Sequence, residues 1–166
     1  MKNVYLVGMP ASGKSTIGKK LSQILNKKFL DTDVEIEKLT SLTIPEFFSH
    51  FGEKSFRELE HKVLLSTFEQ NNCIVATGGG LAAYHNNMAL MLEKGFTVFV
   101  DVPLETLVER ILKEPNTRPL YPPENLSAVL KTKLEQRIGF YSQAQMVVKP
   151  SDDLLVCANF LAALLN

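Results

Sequence analysis

N-V-Y-L-V-G-M-P-A-S-G-K-S-T, residues 3–16, is the stretch on which the reading of the chain turns. Asn3–Val7 is a short apolar run of strand-forming residues, and Gly8 interrupts it. Gly13, Lys14, Ser15 and Thr16 lead into Ile17, Leu21, Ile24 and Leu25, which recur at helical spacing. Gly8, Gly13, Lys14 and Ser15 satisfy G-x-x-x-x-G-K-[ST] without a mismatch, in the strand–turn–helix context that a phosphate-binding loop requires. Such a loop turns backbone N–H groups toward phosphate oxygens, and the helix N-terminus behind it adds positive potential. Lys14 then brings a cation to the β- and γ-phosphates, and Ser15 a hydroxyl ligand for Mg²⁺. The competing reading is an ordinary glycine-rich turn with a solvated lysine.

Outside this stretch the chain reads as one compact enzyme domain. Its 166 residues are enough for a substantial core, and Lys plus Arg balance Asp plus Glu at 18 each. That balance offers no basic surface to nucleic acid and no charge excess to a membrane. Cys73 and Cys157 sit in apolar runs and read as reduced core residues, which predicts a cytoplasmic setting. The first strand begins at once, leaving no room for a signal peptide, and no apolar run reaches membrane-spanning length.

The pattern predicts a helix over 14–25, a strand over Lys28–Asp31, and helical structure over 34–70 broken near 40–43 and at Gly52. Within the last piece Phe56, Leu59, Val63, Leu64 and Thr67 share a face. Cys73–Ala76 reads as a strand closed by Thr77 and three glycines. Residues 96–102 form an unbroken apolar strand, as in a parallel sheet covered on both faces. A helix follows over 104–112. Residues 114–125 hold Pro115, Pro119, Pro122 and Pro123 with no periodicity, the mark of a functional irregular segment. Leu126–Tyr141 reads as a helix with Leu130, Leu134, Ile138 and Tyr141 inward, 145–148 as a last strand, and 152–165 as a closing amphipathic helix. Alternating strands and helices predict a parallel α/β sheet with right-handed crossovers.

Further chemistry is expected at the strand ends. Asp31 and Asp33 stand at the C-terminal edge of the second strand, where open α/β sheets bind ligands. Extended alternation would point both carboxylates the same way, one toward a metal shell and one toward a substrate hydroxyl. Alternatively, Asp33 caps the next helix. The glycines at 78–80 permit close approach to the backbone, or simply a tight turn. Arg57, Arg118 and Arg137 are the unassigned cations, and most arginines are solvated.

Taken in order, G-M-P-A-S-G-K-S-T at 8–16, L-D-T-D at 30–33, I-P-E-F-F…G-E-K-S-F-R-E-L-E at 44–60, T-G-G-G at 77–80, R-P-L at 118–120 and R-I-G-F-Y at 137–141 extend over nearly the whole chain. The sequence resembles the shikimate kinases, of the nucleoside-monophosphate-kinase-like P-loop branch. The resemblance implies a three-layer P-loop kinase fold with five parallel strands, a helical substrate-binding insertion and a short lid. A single domain is expected over 1–166, with its core at about 1–32, 71–113 and 126–166, the substrate-binding region at about 33–60 and the lid at about 114–125.

The implied activity is ATP- and Mg²⁺-dependent phosphorylation of the shikimate 3-hydroxyl, in aromatic amino acid biosynthesis. Residues Gly8, Met9, Pro10, Ala11, Ser12, Gly13, Lys14, Ser15 and Thr16 would bind ATP, Lys14 bridging its phosphates. Ser15 would ligate Mg²⁺ and Asp31 would hold a metal-bound water. Asp33 would accept a hydrogen bond from the reacting hydroxyl. Arg57, Arg137, Gly79 and Gly80 would hold shikimate, the two arginines on its carboxylate, and Arg118 would swing in from the lid. Arg110 lies in the region expected to stack on adenine. Glu60 either orients Arg57 or makes a surface pair with it.

Shikimate and ATP are the expected partners, with no nucleic acid or membrane, and the protein is expected to be a monomer. Two departures stand out. Ala11 occupies a position where glycine is common, so the loop is expected to keep a negative φ there, and Ser41 replaces a glycine before the helix at 44. The rival readings are another small-metabolite kinase, such as a gluconate kinase, and a silent nucleotide-binding module. The first would need a different acceptor site, and the second would be expected to have lost Lys14, Asp33 or Arg118.

Overall fold

All five residues of β1 (Asn3–Val7) are buried, so this strand needs cover on both faces and neighbours on both sides. In the computed structural model, which describes residues 2–113, 120–121, 123–150 and 153–165, it has them. β1 pairs in parallel with β3 (Cys73–Ala76) and with β4 (Gly95–Val100). β2 (Lys28–Asp31) and β5 (Met146–Val148) complete the edges, giving a five-stranded parallel sheet in the order β2-β3-β1-β4-β5. Seven helices are described: α1 (Lys14–Ile24), α2 (Thr32–Thr40), α3 (Ile44–Thr67), α4 (Asn87–Lys94), α5 (Leu104–Leu112), α6 (Leu126–Tyr141) and α7 (Leu154–Leu165). Tyr5, Leu6, Ile17, Leu21, Ile74, Met91, Val98 and Leu107 lie at the centre of the main core.

The α2–α3 hairpin carries a small core of its own, with Ile36, Phe47, Phe56 and Val63 buried together. Its chain reversals are set by local chemistry. Thr43 caps α3 and Glu46 returns the bond, a complete capping box. Ser41 takes the left-handed conformation expected of a glycine at a helix end, with φ 55°, so the turn survives the substitution. At Gly52 the backbone leaves the helix, with φ 74° and ψ 174°, and bends α3 where the sequence predicts a break.

Four expectations need correction. Residues 81–94, where the pattern predicts no element, form a 3-10 turn (Leu81–Ala83) and α4, whose Met88 and Met91 are buried against the sheet. β4 ends at Val100 rather than 102, because Pro103 opens α5. On α6 the inward face runs through Leu126, Leu130, Arg137 and Tyr141, and Ile138 is exposed. A guanidinium takes the place assigned to an aliphatic side chain because polar partners await it there. Finally, α7 is apolar on both faces rather than amphipathic.

The two special backbone positions of the hairpin give stability effects of opposite sign. A Cβ at Gly52 would meet nothing within 4 Å, so Gly52→Ala tests the backbone alone. It is expected to lower unfolding free energy by about 1–3 kcal/mol, and Ser41→Gly to raise it by about 0.5 kcal/mol. Urea titrations should report both as shifts in midpoint at unchanged slope. A neutral Gly52→Ala would show that the bend does not depend on glycine.

Candidate active site

Two cavities open at the C-terminal edge of the sheet and meet at Pro10, Asp33 and Gly79. The larger, of about 1270 Å³, follows the loop between β1 and α1 and is lined by Lys14, Ser15, Thr16, Asp31, Asp33 and Arg110, among others. α1 begins at Gly13 with no side-chain cap and no acidic residue in its first turn. Its N-terminal N–H groups and positive potential are therefore directed at whatever occupies the loop. α2 and α3, by contrast, are capped by Asp31 and Thr43.

The Lys14 ammonium is buried and donates to the carbonyls of Gly8 (2.9 Å) and Met9 (2.7 Å) and to Ser12 Oγ (3.2 Å). Met9 itself is a core residue, so only its backbone serves the loop. Gly8 has no room for a side chain, because a Cβ would lie 2.7 Å from the Val100 carbonyl. Ala11 does not keep a negative φ as expected; it sits at φ 62°, and its carbonyl accepts from Arg110 Nη1 at 3.1 Å. The tight loop imposes the left-handed conformation at a cost of about 1 kcal/mol for a non-glycine residue. Leu154, which the sequence reading passed over, packs on Gly13 and faces the same cavity as Arg110.

Asp31 and Asp33 both line the larger cavity, but not by extended alternation, because α2 starts between them. Asp31 Oδ2 accepts from Ser15 Oγ at 2.5 Å, while Oδ1 caps α2 through the Asp33 N–H at 3.1 Å. Asp31, not Asp33, is therefore the helix cap. Asp31 lines only the larger cavity, whereas Asp33 lines both. Ser15 and Asp31 place two hard oxygen donors side by side, a fit for Mg²⁺ that shares its shell with water and phosphate. Among the described residues no group of three or more His, Cys, Asp or Glu side chains is placed to hold a metal.

The smaller cavity, of about 520 Å³, is lined by Asp33, Arg57, Glu60, Gly78, Gly79, Gly80, Tyr121 and Arg137, with Phe48 and Phe56 on its apolar side. Each of the three glycines makes room for a neighbouring group. A Cβ on Gly78 would strike Glu60 and Asp33, on Gly79 the Pro10 ring, and on Gly80 the Arg57 guanidinium. The Gly78 N–H donates to Thr32 Oγ1 at 2.9 Å, tying the β3 loop to the start of α2.

Arg57 is only 5% exposed. It donates to Glu53 from Nε (3.3 Å) and Nη2 (2.9 Å) and to Glu60 from Nη1 (2.5 Å), with the Tyr84 ring 4.7 Å from Cζ. The pairing with Glu60 is buried on both sides, not the surface contact that the spacing allowed. Arg137, 4% exposed, donates to the Tyr121 hydroxyl (2.9 Å) and the Gly79 carbonyl (3.3 Å). The Tyr141 hydroxyl also donates to Gly79. Among the described residues, Arg137 thus has neutral oxygens for partners where Arg57 has carboxylates. Arg118 lies outside the described residues, as does most of the expected lid.

Burial dominates the electrostatics here. It pushes Glu60 up to about 7, with Arg57 opposing and Asp33 reinforcing the shift, and Glu60 Oε1 has no hydrogen-bond partner among the described residues. Burial works against the charge on Arg57, but Glu60 and Glu53 more than offset it and hold the guanidinium above its ordinary value. Burial, and after it Arg137, lower Lys133 nearby. Tyr84, Tyr121 and Glu53 were not singled out in the sequence. Glu53 was legible only as an i,i+4 partner of Arg57.

A family model described as shikimate kinase matches residues 10–164. A shikimate kinase of Clostridium botulinum (strain ATCC 19397 / Type A) is 41% identical over 149 residues, which are 89% of this chain and 87% of the relative. One from Aquifex aeolicus is 41% identical over 146 residues, 88% and 85% of the two chains. Among solved structures, a shikimate kinase from Acinetobacter baumannii in complex with shikimate superposes with a TM-score of 0.94 at 32% identity, covering 99% of this chain and 93% of that one. An APS kinase from Mycobacterium tuberculosis, with a TM-score of 0.58 and 18% identity over 99% and 96% of the two chains, shares the fold.

The raised Glu60 gives stability a definite pH dependence. A carboxyl whose folded pKa exceeds its unfolded value contributes most below the unfolded pKa, near 4.5, and loses that contribution as pH rises through about 7. Glu60→Gln removes the titration. The stability of the wild type relative to Glu60→Gln should therefore fall by about 1–3 kcal/mol between pH 4.5 and pH 7.5. A pH-independent difference would place Glu60 among ordinary ionised carboxylates.

Proposed function

This chain belongs to the shikimate kinase family, and on that premise we propose how its residues divide the transfer of the γ-phosphoryl group from ATP to the 3-hydroxyl of shikimate. It is a P-loop kinase and uses ATP as phosphoryl donor. The observation that carries the acceptor assignment is Arg137, a buried guanidinium hydrogen-bonded to neutral oxygens and facing the same cavity as Arg57. A desolvated cation with no carboxylate hydrogen-bonded to it among the described residues is costly, and an anionic acceptor offsets that cost on binding. Arg57 and Arg137 take the carboxylate of shikimate, a planar group that suits a forked donor. The backbone at Gly79 and Gly80 closes around the ring.

Phosphoryl transfer asks the protein mainly for position and charge. The uncapped start of α1 and residues 8–16 hold the phosphates, with Lys14 turned from the loop carbonyls to the transferring group. Ser15 would hold Mg²⁺, with Asp31 beside it through a water, and the bound ion would supply neutralisation of developing phosphate charge. Asp33, on the boundary of the two cavities, accepts a hydrogen bond from the attacking hydroxyl and steers it at the γ-phosphorus. The new O–P bond forms as the bond to ADP breaks, and the hydroxyl proton leaves by Asp33. Arg110, opposite Leu154, borders the adenine. Residues 33–60 form the acceptor-binding region of a single domain over 1–166. Residues 114–125 are its lid, bringing Arg118 to the phosphoryl group.

Release of ADP from Mg-ATP in the presence of shikimate, gluconate or AMP tests the reading. ADP should accumulate above background with shikimate alone, and turnover with gluconate or AMP would overturn the acceptor assignment. Asp33→Asn should leave ATP binding near normal while kcat falls by about two to four orders of magnitude. An Asn variant retaining more than about a third of kcat would remove Asp33 from the chemistry.

A further inference from the structure

The Arg57 Cζ lies over the Tyr84 ring, 4.7 Å from its centroid, and the Tyr84 hydroxyl donates to Glu53 Oε1 at 3.5 Å. Tyr84 is not among the described residues that line the acceptor cavity, so it meets Arg57 from outside it. The segment that places the ring is locked at both ends. The Leu81 and Ala83 N–H groups donate to the Gly78 and Gly80 carbonyls, so Tyr84 rides on the same backbone as the glycines of the cavity. Beyond it His85 (φ 49°) and Asn86 (φ 58°) are both left-handed, a conformation that non-glycine residues adopt at a cost. The Asn87 N–H then returns to the Tyr84 carbonyl at 2.8 Å, and the buried Asn87 amide donates to the Leu81 carbonyl at 2.9 Å. Two strained residues in succession, closed by a buried asparagine, thus hold one aromatic ring that is itself 38% exposed. A ring so exposed gains little from burial, and its contact with the cation is what the turn secures.

Resting on the carboxylate reading of the cavity, we propose that Tyr84 is a positioning residue for acceptor selectivity: its ring holds the Arg57 guanidinium in the orientation that meets the acceptor carboxylate. Glu53 and Glu60 already place two acidic groups on Arg57. A third carboxylate would cancel more of the charge that an anionic acceptor must feel, and it would compete for the remaining N–H groups. An aromatic ring attracts the cation through its quadrupole and leaves that charge to the acceptor. The Gly80 backbone lies against the same guanidinium, so one stretch of chain, 80–84, supplies both neutral supports. A guanidinium set in place beforehand loses less freedom when the carboxylate binds.

Steady-state kinetics with shikimate and its carboxamide at saturating Mg-ATP test this. Tyr84→Leu should raise KM for shikimate about tenfold and lower the preference for the acid by a similar factor, with kcat within about threefold and KM for ATP unchanged. Tyr84→Phe, which keeps the ring, should restore both values to within about twofold of the wild type. In an Arg57→Ala background Tyr84→Leu should add less than about twofold, because the ring acts through that guanidinium. Tyr84→Met takes the place of Tyr84→Leu if the latter does not fold. An unchanged KM in Tyr84→Leu overturns the role of the ring. So does a Tyr84→Phe as impaired as Tyr84→Leu, or a full loss retained in the Arg57→Ala background. If the wild type still favours the acid and Arg57→Ala loses that preference, those results overturn the positioning role and leave the carboxylate clamp standing. A wild type that treats acid and carboxamide alike overturns both.

Discussion

A guanidinium buried between two carboxylates and an aromatic ring is the constraint from which the acceptor side of the site follows. Arg57 needs Glu53 one turn before it, Glu60 one turn after it, and the face of Tyr84 beside it. Gly80 must lack a side chain to let the guanidinium lie against its backbone. Glu53 and Glu60 engage Nε and one N–H on each terminal nitrogen, leaving a second N–H on each. The bend at Gly52 starts the helical stretch on which all three charged residues ride, and Phe56 anchors it in the small core of the hairpin. Removing one partner of such a buried pair typically costs about 3–5 kcal/mol, far more than a surface pair contributes.

The nucleotide side follows a different logic. Its buried cation is a lysine whose point charge is held by loop carbonyls over short distances, and the uncapped start of α1 adds backbone N–H groups. Such a loop suits a polyphosphate, whose oxygens point in many directions. The acceptor side uses fixed planar guanidiniums, which suit one planar anion. Asp33, Pro10 and Gly79 are the seam between the two environments, and the seam is where a phosphoryl group would cross.

The sheet was legible because most of its strands are short apolar runs, and Gly8, Asp31, Gly78 and Asp101 stand at or just beyond the ligand-binding ends of β1, β2, β3 and β4. The phosphate loop was legible because its spacing is dictated by backbone geometry. What escaped is long-range. The inward turn of Arg137 could not be seen from the periodicity of 126–141, where Ile138 is the obvious core residue; only the Tyr121 hydroxyl and the Gly79 carbonyl make the cation the better choice. The burial of Glu60 depends on the approach of the β3 loop. The capping role of Asp31 hinges on α2 starting two residues earlier than the pattern suggested. Leu154 reaches the phosphate loop from far along the chain, and no local signal announces it.

The central claim is that two buried arginines make the acceptor cavity selective for a carboxylate. Comparing kcat/KM for shikimate and for its carboxamide, in the wild type and in Arg137→Ala, tests it directly. Each lost charge-assisted pair is worth about 1.5–3 kcal/mol, so the wild type should favour the acid by about two orders of magnitude or more. The preference should shrink in Arg137→Ala while ATP affinity holds. A preference for the acid that is unchanged in Arg137→Ala would contradict the account.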